Sequence, residues 1–459
     1  MNTNTINRRD FLSSATAIGA AGAFGSGSLL ASCSDRGSSE NKLTPLRPAD
    51  EVYIPDLPDK AIDGKPLKAA LLGCGARGTG AAINFLDAAN DVSIVACVDV
   101  FQDKTDRLCQ LLKEQKNNVI AENMRFLGFD AYKKACEADV DVVIVATPSL
   151  FHPEHLKYAI EQGKHVYCEK PAAIDAVGYR TFMTAVKQAR TKGLNIITGT
   201  CWRHYRRDYI ESYKKVQEGY IGRITSGNVY WNQGHMNFAR RRPEWTDMEY
   251  MLRDFFSWNW LCGDHVIDQL IHTLDVFTWF SHSKPVRVIS MGSRLRRNTG
   301  DIYDNFSADI EYEGGVHLHA MARQIDNCDN RVAEIVQGTK GSWSTVDGKA
   351  TIRDLDGNVV WQYDDEAAKK QYKQHESWAL GHVELINQIR KGNALTEQAE
   401  TMAVSSMACI MARESAYSGK SITWDEMTQS DLNLMPAELT LGNVDMSKYV
   451  SPVPGTAVG

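Results

Sequence analysis

One glycine-spaced turn, set between apolar runs, constrains this chain more than any other feature. Leu67-Lys68-Ala69-Ala70-Leu71-Leu72 leads directly into Gly73-Cys74-Gly75-Ala76-Arg77-Gly78 and then into a helix start at Thr79 to Leu86. Glycines at this spacing permit a tight strand-to-helix turn and let backbone N–H groups at the helix terminus approach a pyrophosphate. The next apolar run, Val92 to Val98, ends in Asp99, which stands 21 residues past the last glycine. A carboxylate there accepts hydrogen bonds from a ribose diol and repels a 2′-phosphate, which favours NAD over NADP. A second reading of Asp99, as a cap for a helix starting near Asp103, is weaker because Asp103 could fill that role itself.

Two further strand ends follow. Val140 to Ala146 stops at Thr147-Pro148, with His152 just beyond, and a helix is expected from about Pro153 to Gln162. The run His165-Val166-Tyr167-Cys168 then stops at Glu169-Lys170-Pro171. Strands alternating with helices imply a parallel doubly wound sheet, whose carboxyl strand ends converge on one crevice. Thr147, His152 and Lys170 are therefore expected to be neighbours. Alone, Glu-Lys-Pro is more often a solvated turn than a site.

With 459 residues the chain is too long for one core, and two or three domains are expected. A net charge of -6 leaves no broad cationic face, so nucleic acid is not an expected partner. Arg240-Arg241-Arg242 is read as solvated, or as facing a small anionic or polar ligand. Residues 1–33 are read as an export signal: Arg8-Arg9-Asp10-Phe11-Leu12 is a twin-arginine pattern, and the Ala/Gly/Ser-rich segment to Leu30 is too short and polar for a membrane span. Leu30-Ala31-Ser32-Cys33 resembles a lipobox, so Cys33 is an expected lipid anchor on an exported, periplasmic or cell-envelope lipoprotein, with cleavage without lipid as the alternative. Residues 34–63 read as a tether. Nine of ten cysteines follow Cys33, without metal-type or short disulfide-framework spacing, and read as buried core residues; no metal is expected.

Together, the glycine turn, Asp99, Ala146-Thr147-Pro148-Ser149-Leu150-Phe151-His152 and Gly163 to Ala173 resemble the Gfo/Idh/MocA family of NAD(P)-dependent sugar oxidoreductases, over about Leu67 to Lys420. The resemblance implies a Rossmann domain (64–200) joined to a C-terminal α/β domain (201–430) with an open, mainly antiparallel sheet, and a tail at 431–459. It implies cofactor contacts at Gly73, Gly75, Ala76, Arg77, Gly78, Asp99, Thr147, Pro148, His152, Glu169 and Lys170. The family's second signature, glycines followed by D-x-x-x-H, matches Cys262 to Asp275 at Asp268 and His272, which implies Lys170, Asp268 and His272 as the catalytic group.

Residues four apart share a helix face, so Asp268 and His272 are expected to project together. Histidine suits removal of a hydroxyl proton near neutrality. His272 is read as the base, Lys170 as the group polarising the reacting oxygen, and Asp268 as orienter or substrate ligand; the Lys170 and His272 roles are exchangeable. Where relatives often carry consecutive glycines, this chain has Asp264-His265, read either as a second acid–base pair at the substrate or as an interdomain contact. Relatives place an arginine or aromatic near the substrate after the last Rossmann strand, which nominates Arg203 and Tyr205.

From Ile224 the pattern turns to β: Ile224 to Trp231, Pro285 to Leu295, Phe306 to Tyr312, Val316 to Arg323, Arg331 to Gln337 and Gly341 to Ile352 are expected strands. Helices near Glu376 to Lys391 and Glu397 to Ser418 are expected to pack on that sheet. Four of ten tryptophans lie between Trp231 and Trp260. Trp231 and Trp258 are read as sugar-stacking faces in a loop at the pocket mouth, with a satellite core or subunit contact as the alternative. The resulting expectation is an exported enzyme that moves a hydride between a sugar or glycoside secondary hydroxyl and a tightly held NAD. Two alternatives are a redox-neutral NAD-dependent glycosidase and a non-catalytic sugar-binding lipoprotein. The open sheet face implies a homo-oligomer.

Overall fold

The computed structural model describes residues 43–236, 238–374 and 376–456. The twin-arginine and Cys33 features lie outside the described residues. Six parallel strands form the first sheet: β1 (Leu67–Leu72), β2 (Val92–Asp99), β3 (Arg125–Leu127), β4 (Val142–Val145), β5 (His165–Cys168) and β6 (Ile196–Thr198). Their order is β3-β2-β1-β4-β5-β6, which puts the reversal of strand order between β1 and β4. Helices cover both faces, and β4 is accordingly buried at all four positions, the physical reason it reads as an unbroken apolar run. Helix starts are set by local chemistry: Asp175 caps Ala176–Lys192 through Gly178 N, and Pro153 sits in the first turn of His152–Glu161.

The second sheet contains β7 (Ile224–Gln233), β8 (Pro285–Ser293), β9 (Asn305–Tyr312), β10 (Val316–Gln324), β11 (Arg331–Gly338), β12 (Gly341–Ser344), β13 (Thr351–Asp354), β14 (Val359–Gln362) and β15 (Ile422–Thr423). Their order is β14-β13-β12-β11-β7-β10-β9-β8-β15, with only β7 and β10 parallel. Burial alternates along β9 and β10, so one face is packed and the other open. On the open side Ile289 and Met291 are exposed. The packed face carries helix Ile271–Ser281, nearly all of whose residues are buried.

Three expectations change. The run Gly341 to Ile352 is two strands, because Asp347-Gly348 turns the chain with Gly348 at φ +74°. Helix Leu380–Lys391 packs on the Rossmann sheet instead of the second one: Val383, Leu385 and Ile386 join Leu71, Phe85, Ile144 and Tyr167 in one core. Helix Glu397–Ser418 serves both domains, with Ala399 and Met402 in the Rossmann core and Met407 to Ala412 in the core of the second sheet.

From Leu43 to Asp63 the chain is a bound strap, not a free tether. Leu46 N, Ala61 N and Ile62 N donate to Gln217 O, Ala88 O and Asn387 Oδ1 at 2.9, 2.8 and 2.8 Å, and Leu57 is buried. Backbone groups satisfied in this way hold a polar segment that composition alone reads as loose. Beyond residue 430, Leu434 N donates to Asp175 Oδ2 (2.8 Å) and Tyr303 Oη to Pro452 O (2.7 Å), tying the tail down. The described cysteines are all unbridged, and all but Cys328 are buried. Among the described residues no helix is long and apolar enough to cross a membrane.

Candidate active site

β1 delivers the chain to Gly73 at φ +94°, where a Cβ would stand 2.5 Å from Ala146 O on the neighbouring strand end. A Cβ on Gly78 would lie 1.8 Å from Gly73 O, so this glycine lets the helix Ala76–Ala88 close onto the strand. Nothing lies within 4 Å of the position a Gly75 Cβ would take, and no side chain caps the helix start. Open space above uncapped N–H groups is an anion cradle.

The cradle opens into a cavity of about 280 Å³ lined by Gly73, Gly75, Ala76, Arg77, Asp99, Thr147 and Pro148 on the Rossmann side. Asp99 accepts from Cys74 N (2.8 Å) and Phe101 N (3.0 Å), which fixes the carboxylate at the cavity wall. A carboxylate has about four acceptor positions, so two remain for a diol. Asp99 does not cap the following helix, whose N-cap is Phe101; nor does Asp103, which pairs with Arg253. These residues fit a dinucleotide: a phosphate cradle, a diol acceptor and apolar walls.

The opposite wall comes from the aromatic window of the second domain. Leu252, Phe255 and Phe256 line the same cavity. Arg253 reaches across to Asp103 (Nη2–Oδ1 2.9 Å, Nη1–Oδ2 3.1 Å) and sits 3.9 Å from the Phe101 ring centroid. The window thus divides: this part roofs the cavity, while Trp258 is buried against Tyr250 and Tyr449 in the core of the second domain. Arg241 pairs with Asp247 and Arg242 lies near Glu244, both at the surface.

Of the other proposed cofactor contacts, His152 stands behind the wall. Its Nδ1 is 2.7 Å from Pro171 O and its Nε2 2.8 Å from Thr147 O, which sets the ring between the two strand ends. Burial pushes its pKa down. His155, which sequence reasoning missed, lines the cavity instead, with Nδ1 3.1 Å from Thr147 Oγ1 and its ring 4.4 Å from that of Tyr132. Glu169 is buried and accepts from Arg77 Nε at 2.7 Å. It lies so close that a Cβ on Gly199 would meet its Oε2 at 2.5 Å.

Lys170 leaves the end of β5 and donates from Nζ to Asp268 O (2.5 Å) and Asp268 Oδ1 (3.1 Å); Asp268 Oδ2 accepts from Gln269 Nε2 (2.5 Å). Asp268 ends the one-turn helix His265–Asp268, and His272 is the second residue of the next helix, Ile271–Ser281. The expected shared face of one helix is therefore replaced by a break at Gln269-Leu270. Near Lys170 lies His272, whose Nδ1 is 3.2 Å from Cys201 Sγ. Burial, followed by the positive charges of Lys170 and Arg77, pushes the His272 pKa far down, so its imidazole is neutral.

Aromatics surround this group. The rings of Trp231 and Trp202 lie 5.2 and 6.2 Å from His272, and both indole Nε1 atoms are buried without a hydrogen-bond partner. Tyr205 is 4.8 Å from Trp378, over which Arg77 lies at 4.9 Å. Sequence reasoning missed Cys201, Trp202 and Trp378. The position of Cys201 just past β6, at the ligand-binding edge, was the available signal for the first two.

Three proposed substrate ligands are held elsewhere. Arg203 is buried in a two-pronged pair with Asp275 (2.7 and 2.9 Å), which also accepts from Ser405 Oγ. Asp264 is fully buried at φ +75°, with Oδ1 accepting from His265 N (2.5 Å) and Oδ2 from Tyr303 N (2.8 Å) and Tyr417 Oη (2.5 Å). His265 Nδ1 lies 3.0 Å from the same carboxylate. With its oxygens engaged, Asp264 braces helix Glu397–Ser418 against the loop before β9, while His265 Nε2 is buried without a hydrogen-bond partner.

Residues 67–199 match the family model described as the oxidoreductase family with NAD-binding Rossmann fold, and residues 209–344 match the GFO/IDH/MocA C-terminal domain, together more than half of the chain. The chain is 25% identical to 1,5-anhydro-D-fructose reductase of Ensifer adhaerens over 216 residues, 45% of this chain and 57% of the reductase. It is 32% identical to glycosyl hydrolase family 109 protein 1 of Bacteroides fragilis over 132 residues, 28% of this chain and 27% of that protein. The matched stretches thus span about half or less of these relatives' own length. The crystal structure of myo-inositol 2-dehydrogenase from Lactobacillus plantarum shares the fold, with a TM-score of 0.57 at 20% identity over 78% of this chain and 99% of the other. On the two domain matches, the glycine cradle and the mixed second sheet, the chain belongs to the Gfo/Idh/MocA family of oxidoreductases, with an NAD-binding Rossmann domain.

Proposed function

We propose that this protein moves a hydride between a secondary hydroxyl of a sugar or glycoside and a tightly held NAD. The observation that carries the reading is the Lys170–Asp268 pair beside neutral His272, set at the strand edge that also bears the glycine cradle. NAD, when bound, supplies the hydride acceptor. Gly75 and the helix start would hold its pyrophosphate, and Asp99 its ribose. Lys170 binds and polarises the reacting oxygen, and the hydroxyl proton passes to a member of the Lys170, Asp268 and His272 group. Trp231, Trp202 and Tyr205 provide flat faces and indole donors of the kind that seat a sugar ring. The twin-arginine pattern and Cys33 support export and lipid anchoring, and the open face of the second sheet around Ile289 and Met291 supports association with another copy.

A redox-neutral glycosidase is the second reading, favoured by the family 109 glycosyl hydrolase relative. Asp264, the acid of the second acid–base pair, is fully buried with its oxygens engaged by His265 N, Tyr303 N and Tyr417 Oη, which favours the oxidoreductase. The test is to give the NAD-loaded protein a panel of sugars and aryl glycosides without added cofactor. Reduced nicotinamide with keto-sugar supports the proposal; aglycone release with no net absorbance change supports the glycosidase. Sugar binding without either marks a non-catalytic binder.

A further inference from the structure

We infer that Cys201 holds His272 in the tautomer with its ring hydrogen on Nε2, so that His272 donates a hydrogen bond to the reacting oxygen and the hydroxyl proton leaves through Lys170 to Asp268. The inference rests on the proposed function and chooses between the two exchangeable roles of Lys170 and His272. Cys201 Sγ lies 3.2 Å from His272 Nδ1, and both side chains are buried. Among the described residues this is the one hydrogen bond of the His272 ring, so the thiol is the group that sets which nitrogen carries the hydrogen. Two arrangements fit the distance: S–H to a bare Nδ1, or Nδ1–H to sulfur.

The first is favoured on three grounds. Sulfur is a weak acceptor, whereas a bare imidazole nitrogen is a good one. Among the described residues the Cys201 thiol makes one hydrogen bond, to His272 Nδ1, so its hydrogen has no other acceptor. Burial pushes the Cys201 pKa up, so the thiol keeps that hydrogen to donate. With Nδ1 bare, neutral His272 carries its hydrogen on Nε2 and has no vacant nitrogen to receive a proton.

Lys170 supplies the route. Its ammonium has three hydrogens, and its partners are two oxygens of Asp268. Nζ first gives one hydrogen to Asp268 Oδ1, 3.1 Å away, which leaves an amine lone pair, and that lone pair takes the proton as the hydroxyl O–H breaks. The carboxylate ends as an acid, the lysine charge is unchanged, and the C–H electron pair departs with the hydride as above.

The test is nitrogen NMR of the full chain carrying labelled histidine, with and without NAD at neutral pH, with His272→Gln used for assignment. The inference requires a pyridine-type shift at Nδ1 and a pyrrole-type shift at Nε2. Cys201→Ser should keep that pattern, and Cys201→Ala should move population toward the Nδ1–H form. A pyrrole-type Nδ1 in the unmodified protein, or two pyrrole-type nitrogens, overturns it; an unchanged tautomer in Cys201→Ala overturns the role of Cys201. NAD binding, followed in the same samples by quenching of tryptophan emission, fails separately if the proposed function is wrong.

Discussion

Replacing Arg253 with alanine is expected to loosen the roof of the nucleotide cavity without disturbing either sheet. Arg253 spans the two domains: its guanidinium meets Asp103 at 2.9 and 3.1 Å and lies 3.9 Å from the ring of Phe101, a cavity wall residue. The Asp103 side chain is 62% exposed, so the ion pair falls in the range of about 0.2–1 kcal/mol. The cation–π contact adds about 0.5–1 kcal/mol. Together they amount to about 0.7–2 kcal/mol, or roughly 3- to 30-fold in nucleotide dissociation rate if the roof must open for release. The assay is stopped-flow release of bound NAD into excess competitor, with denaturant unfolding of the nucleotide-free protein as control. An unchanged release rate would refute the latch, because the contact would then play no part in retention.

Three further outcomes are expected. Lys170→Met should lower turnover by about 10²–10⁴-fold while NAD affinity changes little, since the proton route is lost and the glycine cradle is not; equal loss in both would move Lys170 out of catalysis. Gly78→Ala should abolish NAD binding in a binding assay, because its Cβ would stand 1.8 Å from a backbone oxygen and push the helix off the strand. Glu334 is buried, with Tyr209 Oη at 2.8 Å and Thr345 Oγ1 at 2.6 Å, and burial raises its pKa from 4.5 to about 7. The folded state therefore holds this proton where the unfolded state has lost it. Stability from the group is present below pH 4.5 and is lost as pH rises to about 7, by about 3 kcal/mol. Glu334→Gln should flatten that part of the unfolding free energy measured between pH 5 and 8, and an identical slope would contradict the assignment.

The Rossmann strands were legible because strands covered on both faces must be apolar throughout, as in Val142–Val145, whereas β9 and β10 showed the alternation of a one-sided sheet. The cavity glycines and Asp99 were legible for a related reason: backbone geometry admits few substitutes there. What the sequence concealed was partnership across distance. Arg203 looks like a ligand residue until Asp275 is seen against it, and Asp264 until Tyr303 and Tyr417 are. Leu380–Lys391 follows the second sheet in the chain but buries its apolar face on the first, a choice that helical periodicity cannot express. Cys201 and Trp378 gave little signal because a thiol and a half-exposed indole are ordinary residues until a histidine or an arginine lies beside them.

The most direct test of the central claim is to purify the protein, denature it, and identify and quantify any released nucleotide, adding NAD and NADP in parallel to nucleotide-free protein. The account predicts bound NAD approaching one per chain, or tight uptake of NAD in preference to NADP, with uptake weakened by Asp99→Ala. Protein that releases no nucleotide and binds neither cofactor would contradict both the oxidoreductase and the glycosidase readings.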